Sequence, residues 1–443
     1  MKCLLPKHQI MERKDKDAVR QASREMLYSE AYISDERVSG LFSRHFCSPT
    51  GIAKPRSGPL SEGMTGGAMK MTLRPWVKSG WEKPVGYWLL GTSGLLAGMV
   101  LVGGYTRLSG AGLSMTNWKF QGSLPPNTPE AWEHEFLRYQ EFPEYKRIHK
   151  NAMTVDEFKE IYLIEWFHRM LGRGIGIFFG VPFMFLSLSR VIKWPLGSRL
   201  GLLLGAGATQ GLVGWWMVRS GLEENPDPYA RPRVSSYRMC FHWLMALVLY
   251  GGTVWCGLSA LRPTPASTKL ASLTALKSLR RWALIPTLAA LITLTSGPFV
   301  AGLDAGRAFN TWPKMIDDWV PDEAWKFWGD LVSTGKTQWL AATENTAVVQ
   351  FNHRCLAYTT VISSVLLGLY ARKMRDSIPK SAYRAAISTS HLSIVQMLLG
   401  ISTLLMYVPT ELGVLHQGGG LAVYTALIML RHACRLPLPV AAV

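Results

Sequence analysis

Hydrophobic positions along this chain gather into long runs, each of roughly the 20 residues that an α-helix needs to cross a bilayer. Eight such runs are predicted, near residues 84–106, 161–191, 199–219, 239–261, 282–303, 347–371, 385–408 and 414–434. An even number of spans returns both ends of the bundle to one side. No comparable run precedes residue 80. Residues 1–80 are rich in Lys, Arg, Ser and Gly and read as a targeting segment or flexible N-terminal tail. The basic stretch from Lys54 to Lys78 fits an organelle transit peptide, while Glu12, Asp15, Asp17, Glu25, Asp35 and Glu36 run against that pattern.

The loops between runs sort by charge. One set carries Arg190, Lys193 and Arg199, then Arg262, Lys269, Lys277, Arg280 and Arg281, then Arg372, Lys373, Arg375, Lys380 and Arg384, with only Asp376 against them. The other set is longer and mixed to acidic, with Glu130, Glu133, Glu135, Glu141 and Glu144 in one loop and Asp317, Asp318, Asp322 and Glu323 in another. The positive-inside rule places the basic loops on the cytoplasmic or matrix side. The formal charge of +18 is thereby read as topology signalling and not as a nucleic-acid surface, because the cations sit in short loops between apolar runs. Six cysteines, none in a C-x-x-C pair, offer neither a disulfide framework nor a zinc site.

The chain repeats itself. Ala111-Gly112 precede Trp118 by the interval at which Ala305-Gly306 precede Trp312. His168-Arg169 recur as His353-Arg354, and Gln210-Gly211-Leu212-Val213-Gly214 as Gln396-Met397-Leu398-Leu399-Gly400. Each half holds four runs, so the halves share one membrane direction. The predicted fold class is all-α integral membrane: eight transmembrane helices as two tandem, pseudo-symmetric four-helix bundles, over 81–265 and 266–443. Such bundles house cofactors between facing helices.

Four of the ten histidines, His168, His242, His353 and His416, fall at the start of the second, fourth, sixth and eighth runs. All of those runs begin at the non-basic side, so the four imidazoles share one depth near one membrane face. A single histidine there is an ordinary interfacial residue; four at duplicated positions are ligand candidates. Neutral imidazole is a common axial ligand of heme iron, and two ligands from one bundle clamp a porphyrin. Gly172, Gly174 and Gly176 leave room for a flat ring, or equally for close helix packing. Arg169 and Arg354 are possible propionate contacts, or interfacial snorkelling residues. His391 and His432, near the basic face and not duplicated, read as polar helix ends. The halves differ at one position: Glu165 stands three residues before His168, on the same helix face, where the second half has the neutral Gln350. Glu165 is the catalytic candidate, with an ion pair to Arg169 or Arg173 as the structural alternative.

Several stretches together carry a resemblance: Gly103-Gly104-Tyr105-Thr106-Arg107-Leu108-Ser109, Glu165 to Gly172, Met217 to Glu224, Arg233 to His242, Phe351 to Arg354 and Gly413 to Gln417. Over about residues 84–434 the chain resembles the heme A synthase family, in its eukaryotic mitochondrial branch. The resemblance implies oxidation of the C8 methyl of heme O to a formyl group by successive hydroxylation, giving heme A for cytochrome c oxidase. It implies that His353 and His416 bind a prosthetic heme b, that His168 and His242 bracket the substrate heme, and that Glu165 is the important acidic residue. It further implies a mitochondrial inner-membrane location with the histidines toward the intermembrane space, an electron-donor protein such as a ferredoxin, and contact with a heme O synthase and oxidase assembly factors. The cysteine pair found in the first outer loop of many bacterial members is absent between residues 84 and 239. Two other functions remain compatible with the histidines: a diheme b-type electron-transfer cytochrome, and a heme-binding chaperone without chemistry.

Overall fold

The computed structural model describes residues 76–149, 152–224, 231–262, 270–334 and 340–435. Nearly all of the predicted targeting segment lies outside them. Among the described residues there are thirteen α-helices and no strand, only isolated bridges. The long ones are α1 (Glu82–Leu108), α3 (Val155–Leu188), α4 (Trp194–Leu222) and α5 (Ser236–Leu261), then α7 (Leu284–Gly302), α11 (Thr346–Lys373), α12 (Lys380–Leu405) and α13 (Thr410–Ala433). Short helices fill the loops: α2 (Pro129–Gln140), α6 (Leu270–Trp282), α8 (Ala305–Ala308), α9 (Asp322–Thr334) and α10 (Ala341–Glu344).

Each predicted run is a helix, and local chemistry sets the ends. Glu82 in the first turn and Arg107 in the last turn of α1 complement the helix dipole. Thr154 and Glu157 form a reciprocal capping box that starts α3 before its apolar run begins near 161, carrying the helix out into the first long loop. Large apolar side chains on α3, among them Ile177, Val181, Phe185 and Leu188, stand exposed at helical spacing, as a lipid-facing stripe requires. Hydroxyls between the helices return to their own helix carbonyls and join neighbours: Ser93 to Thr253 at 3.0 Å between α1 and α5, and Thr293 to Thr360 at 2.9 Å between α7 and α11.

Seven helical segments are long and apolar enough to cross a membrane. The predicted eighth span, α4, has 29 residues but does not meet that standard, because glycines, Gln210, Trp215 and Trp216 dilute its apolar character.

In the first half α1 packs on α3 and α5, and α4 on α3 and α5. In the second half α11 packs on α7 and α12, and α13 on α12 and α7. Between halves, α1 meets α13, α7 meets α5, and α5 meets α13. The first long helix of each half thus lies against the last helix of the other. Val100, Leu247, Tyr250, Val254, Leu421 and Ile428 form the apolar core of that junction.

Candidate functional site

A single cavity of about 1860 Å³ opens between the helices, and His168, His242, His353 and His416 all line it. Neither His391 nor His432 does. His391 is exposed on α12, whereas His432 is buried against Ser259 Oγ at 3.1 Å and the edge of Trp255. Gly172 and Gly176 line the cavity and Gly174 does not.

The duplicated Gln-x-x-x-Gly sequence forms a cradle for the last histidine of each half. Positions four apart share one face of a helix. On α4 the Gln210 amide nitrogen donates to His242 O at 3.0 Å and approaches His242 Nε2 at 3.4 Å, while Gly214 leaves the space that the ring fills. On α12 the Gln396 amide nitrogen donates to His416 O at 2.8 Å and touches His416 Nδ1 at 3.1 Å, with Gly400 beneath the ring. A Cβ on Gly214 would lie 3.1 Å from the His242 ring, and one on Gly400 only 2.8 Å from the His416 ring. The other histidine of each half packs over the first long helix: His168 against Gly103, and His353 near Gly297. His353 Nδ1 is 2.6 Å from Ser296 Oγ.

The arginines that follow His168 and His353 hold loops. Arg169 donates to Met115 O and Asn117 O, both at 2.8 Å. Arg354 donates to Phe309 O at 3.1 Å and Thr311 O at 2.7 Å. Phe309 and Thr311 each follow Met115 and Asn117 by 194 positions, the offset that also relates Trp312 to Trp118. The same clamp has therefore been built twice. In the second half the neutral Gln350 completes it, donating to Phe309 O at 2.9 Å. In the first half Glu165, only 2 % exposed, completes it with charge. One carboxylate oxygen accepts from Ser114 Oγ and Met115 N, both at 2.8 Å; the other accepts from Arg169 Nε at 3.1 Å and Nη2 at 2.5 Å. Four donors fill the acceptor sites of this carboxylate. Arg173, the alternative partner, instead reaches Phe120 O and Lys119 O.

Three arginines and two acids emerge that the sequence pattern did not single out as site residues. Arg107, Arg231 and Arg233 line the cavity near Asp304, which Arg233 approaches at 3.7 Å and Arg231 at 3.9 Å. Arg107 Nε is buried without a partner, although Nη2 reaches Ala301 O. Glu144 also lines the cavity, buried, and accepts from Tyr139 O–H at 2.9 Å. Burial pushes its carboxyl up to about 7. Arg107 and Arg233 lie inside the resemblance stretches and Arg231 just outside them, but only folding brings α1 and the 231–233 segment together.

Heme fits these residues. Each half offers two imidazoles to one cavity, and the amide oxygens of Gln210 and Gln396, with His242 Nδ1, are buried polar atoms without a hydrogen bond in the protein itself. Buried polar atoms left open beside paired imidazoles suit a polar, iron-bearing guest.

Comparison with known proteins follows the same lines. Residues 86–428 match the family model for the cytochrome oxidase assembly proteins, COX15-CtaA. The chain is similar to a heme A synthase of Arabidopsis thaliana, 45 % identical over 359 residues, which covers 81 % of this chain and 76 % of the relative. It is similar to the Homo sapiens heme A synthase at 41 % identity over 355 residues, covering 80 % and 83 %. A heme A synthase–mitochondrial ferredoxin fusion protein of Schizosaccharomyces pombe is 37 % identical over 367 residues, covering 79 % of this chain and 59 % of the fusion.

Proposed function

The chain belongs to the COX15-CtaA family of cytochrome oxidase assembly proteins, and on that premise we propose how its two halves divide the work. Its activity is heme A synthesis: it is an oxidoreductase that converts heme O to heme A. Family membership favours neither the electron-transfer cytochrome nor the chaperone. In our reading the C8 methyl of heme O is oxidised to a formyl group by successive hydroxylation. His168 and His242 bracket the substrate, and His353 and His416 bind a prosthetic heme b. The bound heme b supplies redox chemistry; the chain supplies position, charge and exclusion of water. The observation that carries this division is the duplicated histidine cradle with a carboxylate, Glu165, in one half only.

Glu165 acts, in this proposal, as a fixed charge. Four donors, Ser114 Oγ, Met115 N and two nitrogens of Arg169, hold the carboxylate in place. Held as it is, it orients Arg169 and the Ser114–Met115 turn along the cavity wall. Arg169 and Arg354 use their nitrogens on loop carbonyls, so we assign the propionates first to Arg107, Arg231 and Arg233, and to Arg354 through its unpartnered Nε.

The protein is a multi-pass mitochondrial membrane protein. We propose the inner membrane, with α4 as the eighth span, the bundles over 81–265 and 266–443 as its two units, and the histidines toward the intermembrane space. The ferredoxin fusion supports a ferredoxin as electron donor; a heme O synthase and oxidase assembly factors are proposed as further contacts.

Pigment extraction tests the reading. The purified protein should yield heme b together with heme O or heme A by mass. His353→Ala or His416→Ala should lose heme b, because each removes an axial ligand. Heme b alone in the wild type, or full heme b in both variants, would overturn it.

A further inference from the structure

His168 and His353 are equivalent by sequence but not by environment. His353 Nδ1 lies 2.6 Å from Ser296 Oγ, and Ser296 Oγ also lies 2.8 Å from Thr293 O, one turn back on its own helix. A serine hydroxyl has one hydrogen and two lone pairs. With that hydrogen on the Thr293 carbonyl, the oxygen is an acceptor toward the ring, so Nδ1 carries the imidazole proton. Nε2 is then the nitrogen with a free lone pair, as an axial ligand needs. The position equivalent to Ser296 in the first half is Val102, 194 residues earlier, the offset that relates Ala111 to Ala305. Valine has no acceptor, and His168 makes no hydrogen bond among the described residues, although it packs against Gly103 beside Val102.

We propose that Ser296 is the positioning residue that makes the second half a retaining heme site, and that Val102 in its place leaves the first half an exchanging one. The inference rests on the assignment of prosthetic and substrate hemes given above. A hydrogen bond from a ligating imidazole to an outer acceptor fixes the ring and raises its basicity, and losing one typically costs about 10- to 100-fold in metal affinity. A prosthetic group benefits from that grip. A substrate heme, which must leave after each turnover, does not.

The test uses the full chain, stripped of heme and titrated with hemin, with release followed optically into excess apomyoglobin. Two backgrounds isolate the sites: His168→Ala/His242→Ala leaves the second, and His353→Ala/His416→Ala the first. In the second-site background, Ser296→Ala should speed release about 10- to 100-fold and raise the heme midpoint potential, because a less basic ligand stabilises the ferric state less. Ser296→Thr should restore both. A residue that merely packs would leave the potential in place. In the first-site background, Val102→Ser should slow release, a gain that misfolding cannot mimic. Unchanged release and potential in Ser296→Ala, or no slowing by Val102→Ser, would overturn the role of Ser296. If instead the first-site background holds hemin as tightly as the second, the assignment of the halves falls, whatever Ser296 does.

Discussion

Glu165→Gln separates a positioning role from a chemical one by magnitude. The native carboxylate accepts from Ser114 Oγ, Met115 N and twice from Arg169. An amide has one oxygen. Facing it toward Arg169 keeps those two bonds and turns its NH2 group to the Ser114–Met115 turn. Ser114 can adapt, because its hydroxyl also reaches Ala111 O and Ile161 O. Met115 N–H cannot, and is left opposite a donor. One unsatisfied buried donor costs about 1–3 kcal/mol, or roughly 5- to 150-fold in the population of the closed turn. The bundle itself tolerates an amide, since Gln350 serves the equivalent clamp. The variant should therefore insert, keep heme b and lose heme A by a factor within that range. Removing an acid–base group would cost about 10²–10⁴-fold instead. Hemes extracted from cells carrying only the variant and separated by chromatography give the ratio of heme O to heme A. A loss far beyond 150-fold would indicate that Glu165 moves protons, against the fixed-charge reading. Wild-type heme A at equal protein abundance would refute both.

Gly400→Ala should displace the His416 ring and lower heme b content, with Gly214→Ala milder, because their added methyls meet the rings at 2.8 and 3.1 Å; equal heme spectra for wild type and Gly400→Ala would count against the cradle. Glu144, raised from 4.5 to about 7 by burial, holds a proton in the folded state that the unfolded chain has already released. Stability of the first outer loop should thus fall as pH rises through about 4.5–7 and stay low above it; hydrogen exchange should show this slope, and Glu144→Gln should flatten it. His391→Ala, remote from the cavity, should leave heme content unchanged by optical spectrum. Cysteines placed in the 262–281 loop should label only from the matrix side, and labelling from the intermembrane space would reverse the topology.

Much of the site was legible because duplication wrote it twice. The four histidines stood out as a set, and the contrast of Glu165 with Gln350 marked the asymmetry before any coordinates. Boundaries were less legible where hydropathy was the only guide. The extension of α3 to Val155 is written in Thr154 and Glu157, a capping pair that sits above the apolar run and so escapes a search for apolar runs. α4 reads as a span by length, yet its glycines and Gln210 serve the His242 cradle at the expense of hydropathy. Partners that are main-chain atoms stayed invisible. Nothing in the side-chain pattern says that Arg169 and Arg354 grip carbonyls of Met115, Asn117, Phe309 and Thr311, since every residue carries a carbonyl. Ser296 was equally silent, because its meaning depends on which hydrogen goes where.

Gly103 and Gly104 are neighbours in α1, yet they touch different halves: Gly103 the ring of His168, and Gly104 the side chain of Gln417, next to His416. At this point of α1 the bare main chain lies against a side chain of each half, His168 and Gln417. Alanine scanning, which finds contacts by deleting atoms, is blind to such an approach. It is exposed only by substitutions that add atoms, and a single methyl at 103 or at 104 reports on one half each, from adjacent positions of one helix.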